Sequence, residues 1–339
     1  MGPRTADMMV VKNRSLNLIF YFTTSIFYLF FIMSLTDFIH NTIHGGLDDI
    51  EQVKALDALK IDNSICVNPS EDGSSLCSTG PNKQAILDYV DKNNVNINNS
   101  DESDESDILE IAKQLTKCND EKCVIERVLP RHDAKNAISS TFKHKGPRDV
   151  VRRLSNFDID GVLSQWCLTN PNFYNWGFNM IDFDREGASL AKYSILDILD
   201  GNASLNLGKY GGIIKRPCNI AACVVNTDKY SGGGIHWFAV LCDCRTEPYS
   251  VEYFNSSGNP PRSQIVNWME RTAALLKQTG KQVVQKTNTG LRHQFGNSEC
   301  GLYSLFFIRH RLDGNPYDSF LEYAYKDNIM TEFRKYCFS

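Results

Sequence analysis

The stretch Gln294-Phe295-Gly296-Asn297-Ser298-Glu299-Cys300-Gly301-Leu302-Tyr303-Ser304-Leu305-Phe306-Phe307-Ile308 decides how this chain is read. It is polar and small up to Glu299. From Cys300 it becomes an apolar run, which reads as a buried helix over Leu302 to Arg311 with the cysteine at its N-terminal end. A thiol there gains from the free N–H groups and the macrodipole, both of which favour the thiolate. The bland alternative is an ordinary core cysteine. Gly301 behind it and the polar loop in front of it argue for access instead.

A thiol nucleophile needs a base, a group that orients the base and a donor for the developing oxyanion. Reading upstream supplies one candidate for each. His236 follows Ser231-Gly232-Gly233-Gly234 and stands early in an expected strand, Ile235 to Cys242. His293 is its rival, but a residue beside Gln294 cannot easily face the same atom. Asn255 closes the expected strand Tyr249 to Phe254 and would accept from the His236 ring, although Asn255-Ser256-Ser257-Gly258 is also turn chemistry. Glu252 is the other candidate for the orienting role. Strand alternation sends positions 252 and 255 to opposite faces, so one of the two faces His236. Gln294 would donate to the oxyanion, and Trp237 would pack over the substrate or sit in the core.

The surrounding pattern is that of an α+β domain. Cys218 to Val225 and Gln282 to Thr287 read as further strands, and Ser263 to Gln278 as an amphipathic helix stopped by Gly280. A mixed sheet between helices is expected from about residue 146 to the end at 339. Residues 37–145 read as a mostly helical arm, with helices at Lys83 to Asp91 and Ile108 to Leu115. The Asn, Ser, Asp and Glu tract Asn93 to Asp107 between them is too polar to build a core and reads as a solvated linker.

The chain has 339 residues, 42% of them hydrophobic and 22% charged, with a net charge of -4. That balance argues against a nucleic-acid partner, which calls for a basic face. The 11 cysteines are odd in number and do not form the paired C-x2-C pattern of a zinc site, so no metal and no cofactor are expected and the thiols read as reduced. Residues 15–36 are uncharged, follow Lys12 and Arg14, and are long enough to span a bilayer. Residues 1–36 are thus a membrane anchor, or an extension ahead of a true start at Met33. A secretory signal fits less well, because no small-residue cleavage site follows.

His-Trp at 236–237, Tyr-Phe-Asn-Ser at 253–256 and Gln-x5-Cys-Gly at 294–301 together resemble the SUMO-protease and adenovirus-protease group of cysteine peptidases. Leu154-Ser155-Asn156-Phe157-Asp158-Ile159-Asp160, Lys215-Arg216-Pro217-Cys218-Asn219, Val225-Asn226-Thr227-Asp228 and Arg292-His293-Gln294 are similar to the polyprotein-processing branch found in African swine fever virus and its relatives. Lys117-Cys118-Asn119-Asp120-Glu121-Lys122-Cys123 resembles that branch's N-terminal arm. The resemblance implies a triad of Cys300, His236 and Asn255 with Gln294 in the oxyanion role. It further implies cleavage of viral structural polyproteins after Gly-Gly during maturation, in virions and host cytoplasm. A deSUMOylase or deubiquitinase acting on host conjugates is the alternative, since the same cleft admits either Gly-Gly strand. Residues 1–32 and the acidic tract at 101–107 depart from the branch. A catalytically dead binding module is disfavoured, because it would be free to lose any of the four polar residues.

Overall fold

The computed structural model describes residues 65–67, 76–93, 105–184, 189–322 and 325–339. The apolar run at 15–36, the Met33 start and most of the polar tract after Asn93 lie outside them. Among the described residues no helix is long and apolar enough to cross a membrane.

Four helices come first: α1 (Gly80–Lys92), α2 (Glu105–Thr116), α3 (Glu121–Val128) and α4 (Arg131–Thr141). They bury Ile86, Val90, Ala112, Val124, Ile125, Ala134 and Phe142 in a core of their own. Helix α2 starts three residues earlier than the sequence pattern suggests, inside the acidic tract. Asp120 caps α3 by accepting from the Cys123 N–H at 2.8 Å. Buried Glu121 accepts from the N–H groups of Cys77 and Ser78 at 2.8 and 2.7 Å. Small cores like this one are commonly stapled. The expectation of reduced thiols fails here: Cys66–Cys77 and Cys118–Cys123 are disulfides. The other seven cysteines are free and buried.

The second core spans Leu154 to Phe338. Helix α5 (Asn156–Thr169) leads into β1 (Phe173–Met180), followed by short helices α6 (Ser189–Lys192) and α7 (Ile195–Leu199) and the small ribbon of β2 (Ser204–Asn206) and β3 (Ile213–Lys215). Then come β4 (Ile220–Asn226), β5 (Trp237–Asp243), β6 (Tyr249–Phe254), α8 (Ser263–Lys277), β7 (Val283–Thr287), α9 (Cys300–Leu312), α10 (Tyr317–Glu322) and α11 (Asp327–Cys337). The five-stranded sheet runs β1-β4-β5-β6-β7. Its outer pairs β1/β4 and β6/β7 are parallel and its inner pairs antiparallel, so the sheet is mixed. Every residue of β4 and β5 is buried, so both faces of the sheet are covered and those strands carry no alternation. Helix α9 lies on β4 and β5, α5 lies on β1, and α8 lies on β6 and β7. All thirteen residues of α9 are buried, which is why its sequence is apolar all round and not amphipathic.

The far end of α9 is held by charge. Arg311 donates to Glu252 at 2.9 Å through two nitrogens and to Asp243 at 2.7 Å. Arg245 donates to the same Asp243 and to the Arg311 carbonyl. Glu252 is fully buried, and burial pushes its carboxyl up while Arg311 pulls it back. Replacing Arg311 by Met leaves buried Glu252 without its cationic partner, while Asp243 keeps Arg245, and the expected loss is roughly 3–5 kcal/mol of unfolding free energy. Urea denaturation measures it, and adding Glu252→Gln to Arg311→Met is expected to recover part of the loss.

Candidate active site

Cys300 is the first residue of α9, and only 2% of it is exposed. Close packing behind it requires Gly301, where an added methyl would sit 3.2 Å from Leu154 Cβ. Burial pushes the Cys300 thiol up, against the opposing pull of the Trp237 and Gly301 backbone and the Arg153 charge. Desolvation of this thiol opposes the stabilisation that a helix terminus gives a thiolate. A base to take its proton is part of what the site requires.

His236 sits one residue before β5, not within it. Its carbonyl still accepts from Thr227 N–H at 2.8 Å, which extends the β4/β5 ladder by one step. Its ring Nε2 lies 2.7 Å from Asn255 Oδ1. The direction of that bond follows from the other partners of Asn255. The Asn255 oxygen also accepts from Ser257 N–H at 3.0 Å and from Ser257 Oγ at 2.8 Å, while Asn255 Nδ2 donates to Tyr253 OH at 2.9 Å. A backbone N–H can only donate, so the atom facing His236 is an acceptor and Nε2 carries the proton. Nδ1 is left with its lone pair. Asn255 itself is clamped by buried Asn288, which donates to the Asn255 carbonyl at 2.7 Å and accepts from its N–H at 2.8 Å.

Gln294 is brought to the same end of the sheet. Its N–H and that of His293 both donate to the Ser256 carbonyl, at 2.9 and 2.8 Å, and its Oε1 accepts from Ser256 Oγ at 2.8 Å. With the oxygen so held, Nε2 spends one hydrogen on the Gly296 carbonyl at 3.1 Å. The other hydrogen remains for a ligand. The following turn is pinned from α11, where Asp327 accepts from the N–H groups of Phe295 and Gly296 at 3.1 and 2.6 Å.

The two competing residues are placed elsewhere. His293 is 2% exposed, packs against the rings of Phe254, Phe320 and Tyr303, and has no partner on either ring nitrogen. Burial lowers its pKa to about 4, so it is a neutral core side chain. Glu252 is committed to Arg311. Cys300 and the His236 ring are not hydrogen-bonded to each other. They share Trp237, whose backbone lies against the thiol, and Arg153, whose charge reaches both.

Trp237 is buried, and its indole N–H donates to the Leu154 carbonyl at 3.1 Å. It also lines a cleft of about 430 Å³ with Leu154, Phe178, Met180, Tyr230, Gly232, Gly233, Gly234 and Ile235. It is thus both a core residue and a wall. The segment leading into α5, Arg153 to Asn156, adjoins it in the same cleft lining, a role the sequence reading did not assign to it. Arg334 of α11 is 1% exposed and donates to the carbonyls of Pro147 at 3.3 Å and Arg152 at 2.8 Å, which fixes the backbone next to Arg153 and Leu154. At Gly146 an added methyl would lie 2.2 Å from the Phe338 ring. Arg153, Ser257, Asn288 and Arg334 belong to no motif, and only Ser257, beside Asn255 in turn chemistry, left a signal that could have found it.

Comparison with known proteins gives the family and the fold. Residues 219–339 match the Ulp1 protease family, C-terminal catalytic domain. Over 233 residues the chain is 36% identical to the SUMO-1 cysteine protease of African swine fever virus (isolate Tick/South Africa/Pretoriuskop Pr4/1996), a span of 67% of this chain and 85% of that protein. Over 183 residues it is 29% identical to a putative thiol protease of Acanthamoeba polyphaga mimivirus, 54% of this chain and 55% of that one. The crystal structure of the African swine fever virus protease has a TM-score of 0.65 and 30% identity, covering 84% of this chain and 98% of that chain.

Burial lowers the His236 pKa, the Asn255 hydrogen bond raises it and Arg153 lowers it further. The ring is expected to titrate below 6.5 in NMR spectra of the Cys300→Ala protein. Adding Asn255→Ala should move the midpoint down, and adding Arg153→Gln should move it up.

Proposed function

The chain belongs to the family of the African swine fever virus cysteine protease, within the Ulp1 group, and we propose that it cuts structural polyproteins after Gly-Gly during assembly of a large DNA virus, by Cys-His-Asn catalysis. The observation that carries the mechanism is the His236–Asn255 bond. It leaves the Nδ1 lone pair as the only base on the ring, on the strand edge whose next residue touches the Cys300 thiol. Nδ1 takes the thiol proton, Sγ attacks the scissile carbonyl, and the same nitrogen then protonates the leaving amine. Water hydrolyses the thioester by the reverse route. The oxyanion is met by the spare Gln294 Nε2–H and the backbone N–H of Cys300. Because Asn255 carries no charge, it orients the ring without stabilising the imidazolium by charge.

The resemblance to the polyprotein-processing branch supports an extended Gly-Gly strand at the cut. The motifs shared with the polyprotein-processing branch support a polyprotein as the substrate, and virions and host cytoplasm as the setting. Host SUMO or ubiquitin conjugates are the other source of such a strand. Incubating the protein with candidate polyproteins and with SUMO and ubiquitin conjugates, then mapping the new termini by mass spectrometry, separates the two. New C-termini ending in Gly-Gly within a polyprotein are expected. Release of SUMO or ubiquitin with the polyproteins left intact would overturn the reading.

Cys300→Ala and His236→Ala should each lower turnover by roughly 10^4-fold or more with the fold intact. Gln294→Ala should lower kcat by about 10²–10³-fold with little change in KM, because the donor acts in the transition state. Asn255→Ala should cost less than Cys300→Ala. Steady-state kinetics on a Gly-Gly peptide checks all four, and a normal kcat in Gln294→Ala would remove that residue from the mechanism.

A further inference from the structure

The cleft beside Trp237 is walled by Leu154, Phe178, Met180, Tyr230 and Ile235, and Arg153 is the single charged side chain among the described residues that line it. Its volume, about 430 Å³, exceeds what two glycines fill, so side chains flanking the cut also enter it. Arg153 is exposed, and its Nε–H donates to the Asn297 carbonyl at 2.9 Å. That bond lays the side chain across the turn that precedes Cys300. The four remaining N–H donors of the guanidinium have no partner among the described residues. They form a planar fork of the shape that matches a carboxylate bidentately. Arg153 also lies near enough to the site to pull down the pKa values of both Cys300 and His236.

The geometry points to Arg153 as a specificity-determining residue that receives an Asp or Glu side chain of the substrate within a few residues of the cut. This deepens the endopeptidase reading above and rests on it. The preferred substrate is a Gly-Gly strand with an acidic neighbour, held by an arginine that is itself braced on the oxyanion turn. A guanidinium that merely clamps the substrate main chain would bind all sequences alike, and this difference is what an experiment can read.

The test uses the full chain and peptides with a fixed Gly-Gly centre, carrying Glu, Gln or Lys singly at each of four positions on either side. For the wild type, kcat/KM for Glu is expected to exceed that for Gln by about tenfold at one position, the size of one charge-assisted pair. Arg153→Gln should abolish that ratio. Arg153→Glu should invert the preference, so that Lys at the same position becomes the better substrate. Thermal melts confirm that each variant is folded. A Glu-to-Gln ratio unchanged in Arg153→Gln would overturn the proposal, as would an equal loss on every peptide, which identifies a main-chain clamp. If the wild type cuts no Gly-Gly peptide, neutral ones included, the endopeptidase reading itself falls and takes this proposal with it.

Discussion

Helix α9 is buried along its whole length, and Cys300 stands at its N-terminal end against the backbone of Trp237, a residue that lines the cleft. The rest of the molecule follows from that constraint. Five strands and the helices around them cover thirteen consecutive residues, the first of which carries the candidate nucleophile. The same burial that holds the thiol in place works against its charge, since desolvation raises the Cys300 pKa against the N–H groups around it. Ionising a desolvated thiol calls for a base, so the position of the imidazole becomes the next requirement.

That requirement is met by amides and hydroxyls and not by a carboxylate. Asn255 Oδ1 takes three donors, its Nδ2 gives one hydrogen to Tyr253, and Asn288 pairs with its backbone as a strand would. Each contact is modest, but together they leave the amide one orientation and the imidazole one tautomer. The acidic residue nearby, Glu252, is used on the other face of the sheet, where Arg311 neutralises it. Putting the carboxylate on the stabilising side of β6 and the amide on the catalytic side follows from strand alternation over three positions.

Much of this was legible. Cys300, Gln294, His236 and Asn255 announce themselves because each stands at an element boundary in a polar setting, and the strands at 220–226, 237–243, 249–254 and 283–287 were found within two residues. What failed to show has physical reasons. Helix α5 buries Asp158, Ser164 and Gln165 along with its apolar residues. Gln165 ties the two cores together, donating to the Ser139 and Phe142 carbonyls and accepting from His144 N–H. A helix with polar residues facing inward has no clean period. The disulfide Cys66–Cys77 depends on the fold that brings the two residues together, and spacing alone does not encode it. The thiolate expectation weighed the helix terminus alone; the burial that opposes it is visible only in the packing.

Arg153 shows how a residue can shape the site without entering the proton transfer. Its charge lowers the pKa of the Cys300 thiol and of the His236 ring alike. Moving a proton from one to the other depends on the difference between the two values, so pulls in the same direction on both offset each other in that difference. What does not cancel is the pH range over which the pair holds its single proton, and both edges of that range move toward acid. An arginine placed there for chemistry would need to favour one partner over the other. One that affects both in the same direction, with four donors open to the cleft, is placed for what the cleft receives.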